Sequence, residues 1–325
     1  MPVLLFFCAL TLNSYESLPP ILESGDFYRP VALKIDRQGR FFVVDQGDHR
    51  VWVFAPDGKS LFSFGGQGQG PGELQNPCDL DFLADGRVLV SDSGNRRILV
   101  FDATGQFENI IKIPDQTVGQ ILALPNGEFL LTKVGGYAIS FSIDDKEQKR
   151  FSRYNLEGQH LEDFGTHTPH ENPLLSVWLN RGAIDLMGDR VVYAGTVVNE
   201  IVVYGDHENR SRYSLKFVPR EPKADMKETK TSDGKTNFQM MVLMDQLIAA
   251  MAVRTENELV LMRATGSSAE EAPAFELVRI DFQGELLQAY PGTYESPSLD
   301  LGVDGNTVYI LHERDEDWAL TPVVL

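Results

Sequence analysis

The sequence predicts an all-β fold, a single six-bladed propeller of four-stranded antiparallel blades closed by N- and C-terminal strands. Three observations predict it. Residues 30–59 and 77–106 align at a constant offset of 47, with eleven of thirty positions identical, among them Pro30/Pro77, Gly39/Gly86, Asp45/Asp92, Gly47/Gly94, Arg50/Arg97 and Gly58/Gly105. A period of about 40–50 residues made of short strands marks a propeller blade. Inside each copy, short apolar runs alternate with Gly-, Asp- and Asn-rich turns, the hairpin pattern. The same rhythm continues in weaker form to the end of the sequence and gives six units.

In the first two units an apolar run leads to a Gly turn (Arg37-Gln38-Gly39; Ala84-Asp85-Gly86), then to a second strand (Phe41–Val44; Val88–Ser91). A polar turn (Gln46–His49; Ser93–Arg96) precedes the third strand (Val51–Phe54; Ile98–Phe101). A second Gly turn ends in the fourth strand (Leu61–Phe64; Phe107–Ile111). Unit three holds Ile121–Leu124, Glu128–Thr132, Tyr137–Ile143, Phe151–Asn155 and Leu161–Phe164. Unit four holds Ala183–Leu186, Val191–Ala194, Glu200–Tyr204 and Tyr213–Phe217. Unit five runs through Met251–Arg254, Leu259–Arg263, Phe275–Asp281 and Leu286–Tyr290. Unit six, Ser298–Val303, Thr307–Leu311 and Trp318–Leu325, is one strand short. A segment within Leu4–Glu23 is the expected donor of the missing outer strand, which would leave no long open sheet edge.

The chain is therefore expected to be one domain over 1–325, with two special segments. Residues 1–24 serve as the closing strand or are a leader remnant. Val3–Leu12 is apolar but far too short to span a bilayer, lacks a basic n-region, and has bulky Leu5-Phe6-Phe7 where lipidation of Cys8 would want a small residue. A leader remnant would place the protein in the cell envelope or periplasm, a strand in the cytoplasm. Residues 218–239 are charged, mixed in sign and poor in apolar side chains, and read as a loop insertion. The Met-rich Phe238–Met251 run reads as a short helix packed on the propeller.

Composition narrows the partners. With 29 basic and 47 acidic residues the net charge is −18, which argues against nucleic acid or an anionic membrane as the main partner. Cys8 and Cys78 form no disulfide framework and no zinc spacing. Cys78 lies in a strand pattern and reads as a buried thiol.

The stretches Val44-Asp45-Gln46-Gly47-Asp48-His49-Arg50-Val51 and Ser91-Asp92-Ser93-Gly94-Asn95-Arg96-Arg97-Ile98 resemble the NHL repeat, with its Asp, Gly/Asn turn, Arg and aliphatic residue. The linker from Gly65 to Pro77 is similar to the GxGPGEF-x-x-P linker of bacterial NHL-type six-bladed propellers. The resemblance covers about residues 30–110 and implies the fold. The scaffold hosts binding proteins, lyases and hydrolases, so it implies no single activity. Lys133 and His312 stand where the motif has Asp, and Arg after the turn is absent from units three to six.

Asp45 with Arg50, and Asp92 with Arg97, are expected to meet across one tight turn, the carboxylate taking turn N–H groups and pairing with the guanidinium. The Gly-rich linker lacks GxxxxGK[ST] and reads as an inter-blade connection. His167 and His170 form a His-x-x-His pair near Glu171, read as a surface loop for want of a third ligand. Loops entering the blades and joining their second and third strands share one propeller face. Asp48, His49, Gln67, Gln69, Asn95, Arg96, His167 and His170 are the ligand-face candidates. Their polar, mixed character suits a protein, peptide or glycan, and the reading leans away from catalysis, with no cofactor expected. The alternative is a metal-dependent lyase or hydrolase with a divalent metal in the central channel, for which Asp79, Asp81 and Asp185 are the carboxylates available.

Overall fold

Short apolar runs bounded by turn glycines fold each repeat into an up-and-down meander, its middle strands buried on both faces. A computed structural model describes residues 20–24, 27–113, 118–133, 149–167, 180–196, 200–205, 210–214, 223–230, 236–243, 248–265, 274–291, 300–314 and 317–325. After β1 (Leu22–Ser24), blade 1 comprises β2 (Pro30–Ile35), β3 (Phe41–Asp45), β4 (Arg50–Phe54) and β5 (Ser60–Gly65). Blade 2 comprises β6 (Pro77–Phe82), β7 (Val88–Asp92), β8 (Arg97–Phe101) and β9 (Phe107–Lys112). Blade 3 is β10 (Ile121–Ala123), β11 (Phe129–Thr132), β12 (Lys149–Tyr154) and β13 (His160–Thr166). Blade 4 is β14 (Gly182–Met187), β15 (Arg190–Gly195), β16 (Glu200–Tyr204) and β17 (Arg210–Ser214). A hairpin of β18 (Lys223–Lys230) and β19 (Thr236–Leu243) follows. Blade 5 is β20 (Ile248–Thr255), β21 (Glu258–Thr265), β22 (Ala274–Asp281) and β23 (Leu286–Pro291). Blade 6 is β24 (Asp300–Asp304), β25 (Thr307–Arg314) and β26 (Asp317–Val324), completed by β1. Six four-stranded antiparallel sheets result, as the sequence predicts.

The apolar core is divided among the blade junctions. One cluster joins Phe42, Val51 and Val53 of blade 1 to Leu80, Val90 and Leu99 of blade 2. Another joins Leu22, Leu311 and Leu320 of blade 6 to Leu33, Phe41 and Phe54 of blade 1. Equivalent clusters fill the junctions of blades 2 and 3, 3 and 4, 4 and 5, and 5 and 6. The ring is thus closed by side-chain packing as well as by strand pairing.

Closure uses β1 as the outer strand of blade 6, with Leu22 opposite Leu320 and Ser24 opposite Trp318. The turn between β4 and β5 packs directly on it: Gly58 has φ +82°, and a Cβ there would lie 1.9 Å from the Ile21 carbonyl oxygen. Residues 1–19 lie outside the described residues.

Two expectations about the later units change. Most of the 218–239 segment, expected as a loop, is in the β18–β19 hairpin, paired in continuous register from Lys223↔Leu243 to Lys230↔Thr236. Its charge masked the signal. The expected helix over Phe238–Met251 is replaced by the end of β19 and the start of β20. Main-chain pairing with β18 and β21 outweighs the helix preference of its Met, Leu and Ala. The expected strand Tyr137–Ile143 lies outside the described residues.

Removal of residues 1–24 takes away β1 and the buried Leu22, and exposes the inner faces of Trp318 and Leu320. We expect a stability loss of about 2–4 kcal/mol and a melting temperature lower by several degrees. An unchanged melt would show that β1 contributes nothing to closure.

Candidate functional site

The turn between β7 and β8 is built around one carboxylate. Asp92 is fully buried and accepts hydrogen bonds from the Gln75 N–H (2.6 Å), Asn95 Nδ2 (2.8 Å) and Arg97 Nε (2.7 Å). Arg97 then donates its remaining N–H groups to the carbonyls of Gln69 (2.8 Å), Gly70 (3.1 Å) and Glu73 (2.8 Å). All three carbonyls belong to the Gly-rich linker, so the pair fastens the linker to blade 2. Gly94 closes the contact, its N–H on the Gln75 carbonyl at 2.8 Å, where a Cβ would clash. The linker is a connection, as expected.

Asp45 and Arg50 occupy the same register in blade 1 but do not pair with each other. Asp45 accepts the N–H groups of Tyr28 (2.7 Å), Arg29 (2.9 Å), Gly47 (3.0 Å) and Asp48 (3.1 Å). With that carboxylate filled, Arg50 turns outward to Asp48 (2.5 Å) and lies over the Trp52 ring. Among the described residues no carbonyl of the entering segment draws it inward, which is the physical difference from Arg97.

Blade 3 supplies a correction to the repeat reading. Arg150 stands at the position of Arg97, its carbonyl accepting the Lys133 N–H at 2.8 Å. The long insertion before β12 hides it in the sequence. Lys133 stands where blade 2 has Asp92. Among the described residues the Arg150 guanidinium reaches Asn180 (3.3 Å) and Glu200 of blade 4 (3.8 Å) and stacks on Tyr193.

The ligand-face candidates divide into groups. Gln69, Asn95 and Arg96 line one cleft of about 470 Å³ between the linker and blade 2, together with Arg97, Ile110, Lys112 and Ile113. Asp48 pairs with Arg50 within blade 1, and His49 Nδ1 accepts the N–H of Asn76 in the linker at 3.0 Å. Gln67 is exposed and its backbone bridges to Leu74. His167 is buried apart from the cleft, its pKa pushed down to about 4 by burial and by Arg150 and Lys133. His170 lies outside the described residues. The sequence reading missed Ile110, Lys112 and Ile113, whose strand pattern gives no hint that a distant linker leaves a gap beside them.

The channel collects the other ionisable groups. A cavity of about 260 Å³ is lined by the first strands of five blades and by Gln120 of blade 3. It contains Asp79, Asp81 and Asp185, as expected, and also Lys34 and Asp300. Each aspartate bridges two backbone donors, its own following N–H and one on the neighbouring blade. Asp79 takes Leu80 and Ile121; Asp81 takes Phe82 and Ala123. Asp185 takes Leu186 and Val253, and Asp300 takes Leu301 and Leu33, at 2.7–2.9 Å. Burial pushes Asp79 up to about 7 against the pull of Lys34, with Asp300 and Asp81 adding repulsion. Burial likewise pushes Asp300 up to about 6, opposed by Lys34 and the two N–H groups, and raises Asp185. Burial alone would lower the Lys34 pKa, but the four carboxylates outweigh it and hold the ammonium charged. Cys78 is a buried thiol donating to the Val118 and Gly119 carbonyls, its pKa pushed up by burial.

A family model described as a six-bladed beta-propeller, DUF5128, matches residues 29–266. No curated protein sequence matches the chain. Among solved structures, a member of the DUF4221 family from Bacteroides vulgatus is similar at TM-score 0.63 and 10% identity, over 96% of this chain and 97% of that one. Virginiamycin B lyase from Staphylococcus aureus is similar at TM-score 0.55 and 14% identity, over 91% and 95%. A protein of unknown function from Bacteroides caccae is similar at TM-score 0.51 and 14% identity, over 81% of each chain. At such identities the likeness is one of fold.

Two predictions follow from this geometry. Asp92→Ala leaves the buried Arg97 without its carboxylate and should cost about 3–5 kcal/mol. Arg50→Ala breaks an exposed pair and should cost about 0–1 kcal/mol. Urea unfolding of both variants checks the contrast, and equal costs would overturn the assigned roles.

The second concerns pH. A carboxyl whose folded pKa lies above its unfolded value of about 4 binds protons on folding between the two values. Its stabilising contribution is present below about pH 4 and is lost as pH rises through the folded value, about 7 for Asp79. His167, depressed to about 4, acts in the opposite sense between there and its unfolded value near 6.5. Comparing wild type with Asp79→Asn separates them: wild type should lose stability relative to the variant as pH rises from 4.5 to 7.5. A difference independent of pH would overturn the assignment.

Proposed function

The chain belongs to this six-bladed propeller family, whose description names an architecture and no chemistry, and from that premise we propose that it is a non-catalytic binding propeller. Its ligand surface is the face carrying the 65–76 linker and the 93–96 turn, and its partner is a protein, peptide or glycan. The observation that carries the reading is the cleft on that face, where Gln69, Asn95 and Arg96 converge beside a partly apolar wall of Ile110 and Ile113. A concave surface combining a few polar groups with apolar contact is the ordinary form of a recognition site.

The channel supports the same reading. Its four aspartates each hold two backbone N–H groups on adjacent blades. That is a structural task, and it fixes their orientation toward the strands rather than toward a reacting molecule. The solved lyase shares the propeller fold with this chain, and a shared fold carries no activity with it. The resemblance of the first two blades to NHL repeats belongs to this proposal as well, since the Asp92–Arg97 turn is the part of the motif that secures the face.

The test is to probe peptide and glycan arrays with the purified protein and to map each binder by backbone hydrogen exchange. Binders are expected to protect amides in 65–76 and 93–97 and to be recovered chemically unchanged. Protection confined to the channel strands or the opposite face, or conversion of the ligand detected by mass spectrometry, would overturn the proposal.

A further inference from the structure

We infer that the cleft between the 65–76 linker and β9 is a docking site for an acidic peptide segment bearing an aliphatic side chain. The inference rests on the binding reading above and names the ligand class.

The charge of the cleft runs against that of the molecule. The whole chain carries −18, yet the seven lining residues among those described include three cations and no carboxylate. Arg97 is neutralised by Asp92 at 2.7 Å and spends its other donors on the linker. Arg96 and Lys112 are different. Both are exposed, and among the described residues neither side chain has a hydrogen-bond or ion-pair partner. Surface cations in an acid-rich protein ordinarily find carboxylates, as Arg40, Arg87 and Lys133 do here at 2.6–2.8 Å. Two unpaired cations facing one cleft leave a local positive field that a ligand carboxylate would satisfy.

The backbone holds this arrangement in place. Arg96 takes the left-handed conformation, φ 53°, at the end of the short 3-10 turn Ser93–Asn95. That turn is held by Asn95 Nδ2 on the Gly68 carbonyl and Ser93 Oγ on the Asn76 carbonyl. Lys112 ends β9, in register with Arg97. The cation on the turn and the cation on the strand therefore project from two elements that the linker and the Asp92–Arg97 pair hold at fixed separation, so little order is lost on binding.

The remaining wall decides the class. Ile110 and Ile113 offer branched aliphatic surface, and Gln69 adds a free amide. Among the described residues no aromatic ring lines the cleft, so a sugar ring finds no flat surface there on which to stack. A peptide with acidic residues flanking Leu, Ile or Val meets both the charges and the aliphatic wall.

Random peptide arrays and an array of uronate and sulfated oligosaccharides, probed with the full chain, test the inference. The expected result is enrichment of Asp and Glu beside aliphatic residues among bound peptides. Binding should fall at least tenfold for Arg96→Glu with Lys112→Glu and for peptides carrying Gln in place of Glu, while thermal melts stay as in wild type. Bound peptides without acidic enrichment, binding that survives the charge reversals, or binding of the anionic oligosaccharides alone would overturn it. Ligands that protect other parts of the loop face, with the cleft unaffected, would end this inference and leave the binding reading standing. Ligands that protect no part of that face would end both.

Discussion

The structure depends on how six sheets are held together at their inner edges. Each blade presents the open side of its first strand to the channel, where a backbone N–H without a partner would be costly. Aspartates solve this at alternate junctions. Asp79 and Asp81 fasten blade 2 to blade 3, Asp185 fastens blade 4 to blade 5, and Asp300 fastens blade 6 to blade 1. The solution concentrates negative charge in a narrow space, and Lys34 from blade 1 offsets part of it. Burial first, and repulsion among the carboxylates after it, raise the pKa values of Asp79 and Asp300. The apolar clusters at the six junctions supply the bulk of the burial, and the aspartates fix how one blade registers against the next.

The two most similar repeats show how far an identical motif is governed by what lies next to it. Asp45-Arg50 and Asp92-Arg97 have the same spacing and the same cross-strand register. In blade 2 the linker offers carbonyls, so the guanidinium turns inward and pairs with its aspartate. In blade 1 the preceding segment offers the N–H groups of Tyr28 and Arg29, the carboxylate is filled, and the guanidinium turns out. A residue's role here is set by the donors and acceptors of the segment entering the blade.

That dependence explains what could be read from the chain. Strands and turns are local, so the six units and the closing N-terminal strand were legible in the rhythm of apolar runs and glycines. Asp79, Asp81 and Asp185 were visible as channel carboxylates because their strands keep that rhythm. Asp300 and Lys34 were not, since one stands at the very start of its strand and the other replaces an acid by a base. Arg150 was hidden by the insertion before β12. The cleft was half legible: Gln69, Asn95 and Arg96 belong to turns with a repeat partner, whereas Lys112, Ile110 and Ile113 acquire meaning only when the linker folds back beside them. The β18–β19 hairpin was obscured by its charge, because pairing of main chains can proceed with few apolar side chains.

Closure of the last blade also sets a schedule for folding. Leu22 pairs with Leu320, so the two sides of one sheet lie 298 residues apart in the chain (320 − 22). At a synthesis rate of roughly 5–20 residues per second, β1 waits about 15–60 s for its partner. During that interval blades 1 to 5 can assemble on one another, while Leu33, Phe41 and Phe54 face an empty junction. The growing chain is for that time an open arc with one apolar end, and the strand that makes the finished ring continuous is the one whose partner is made last.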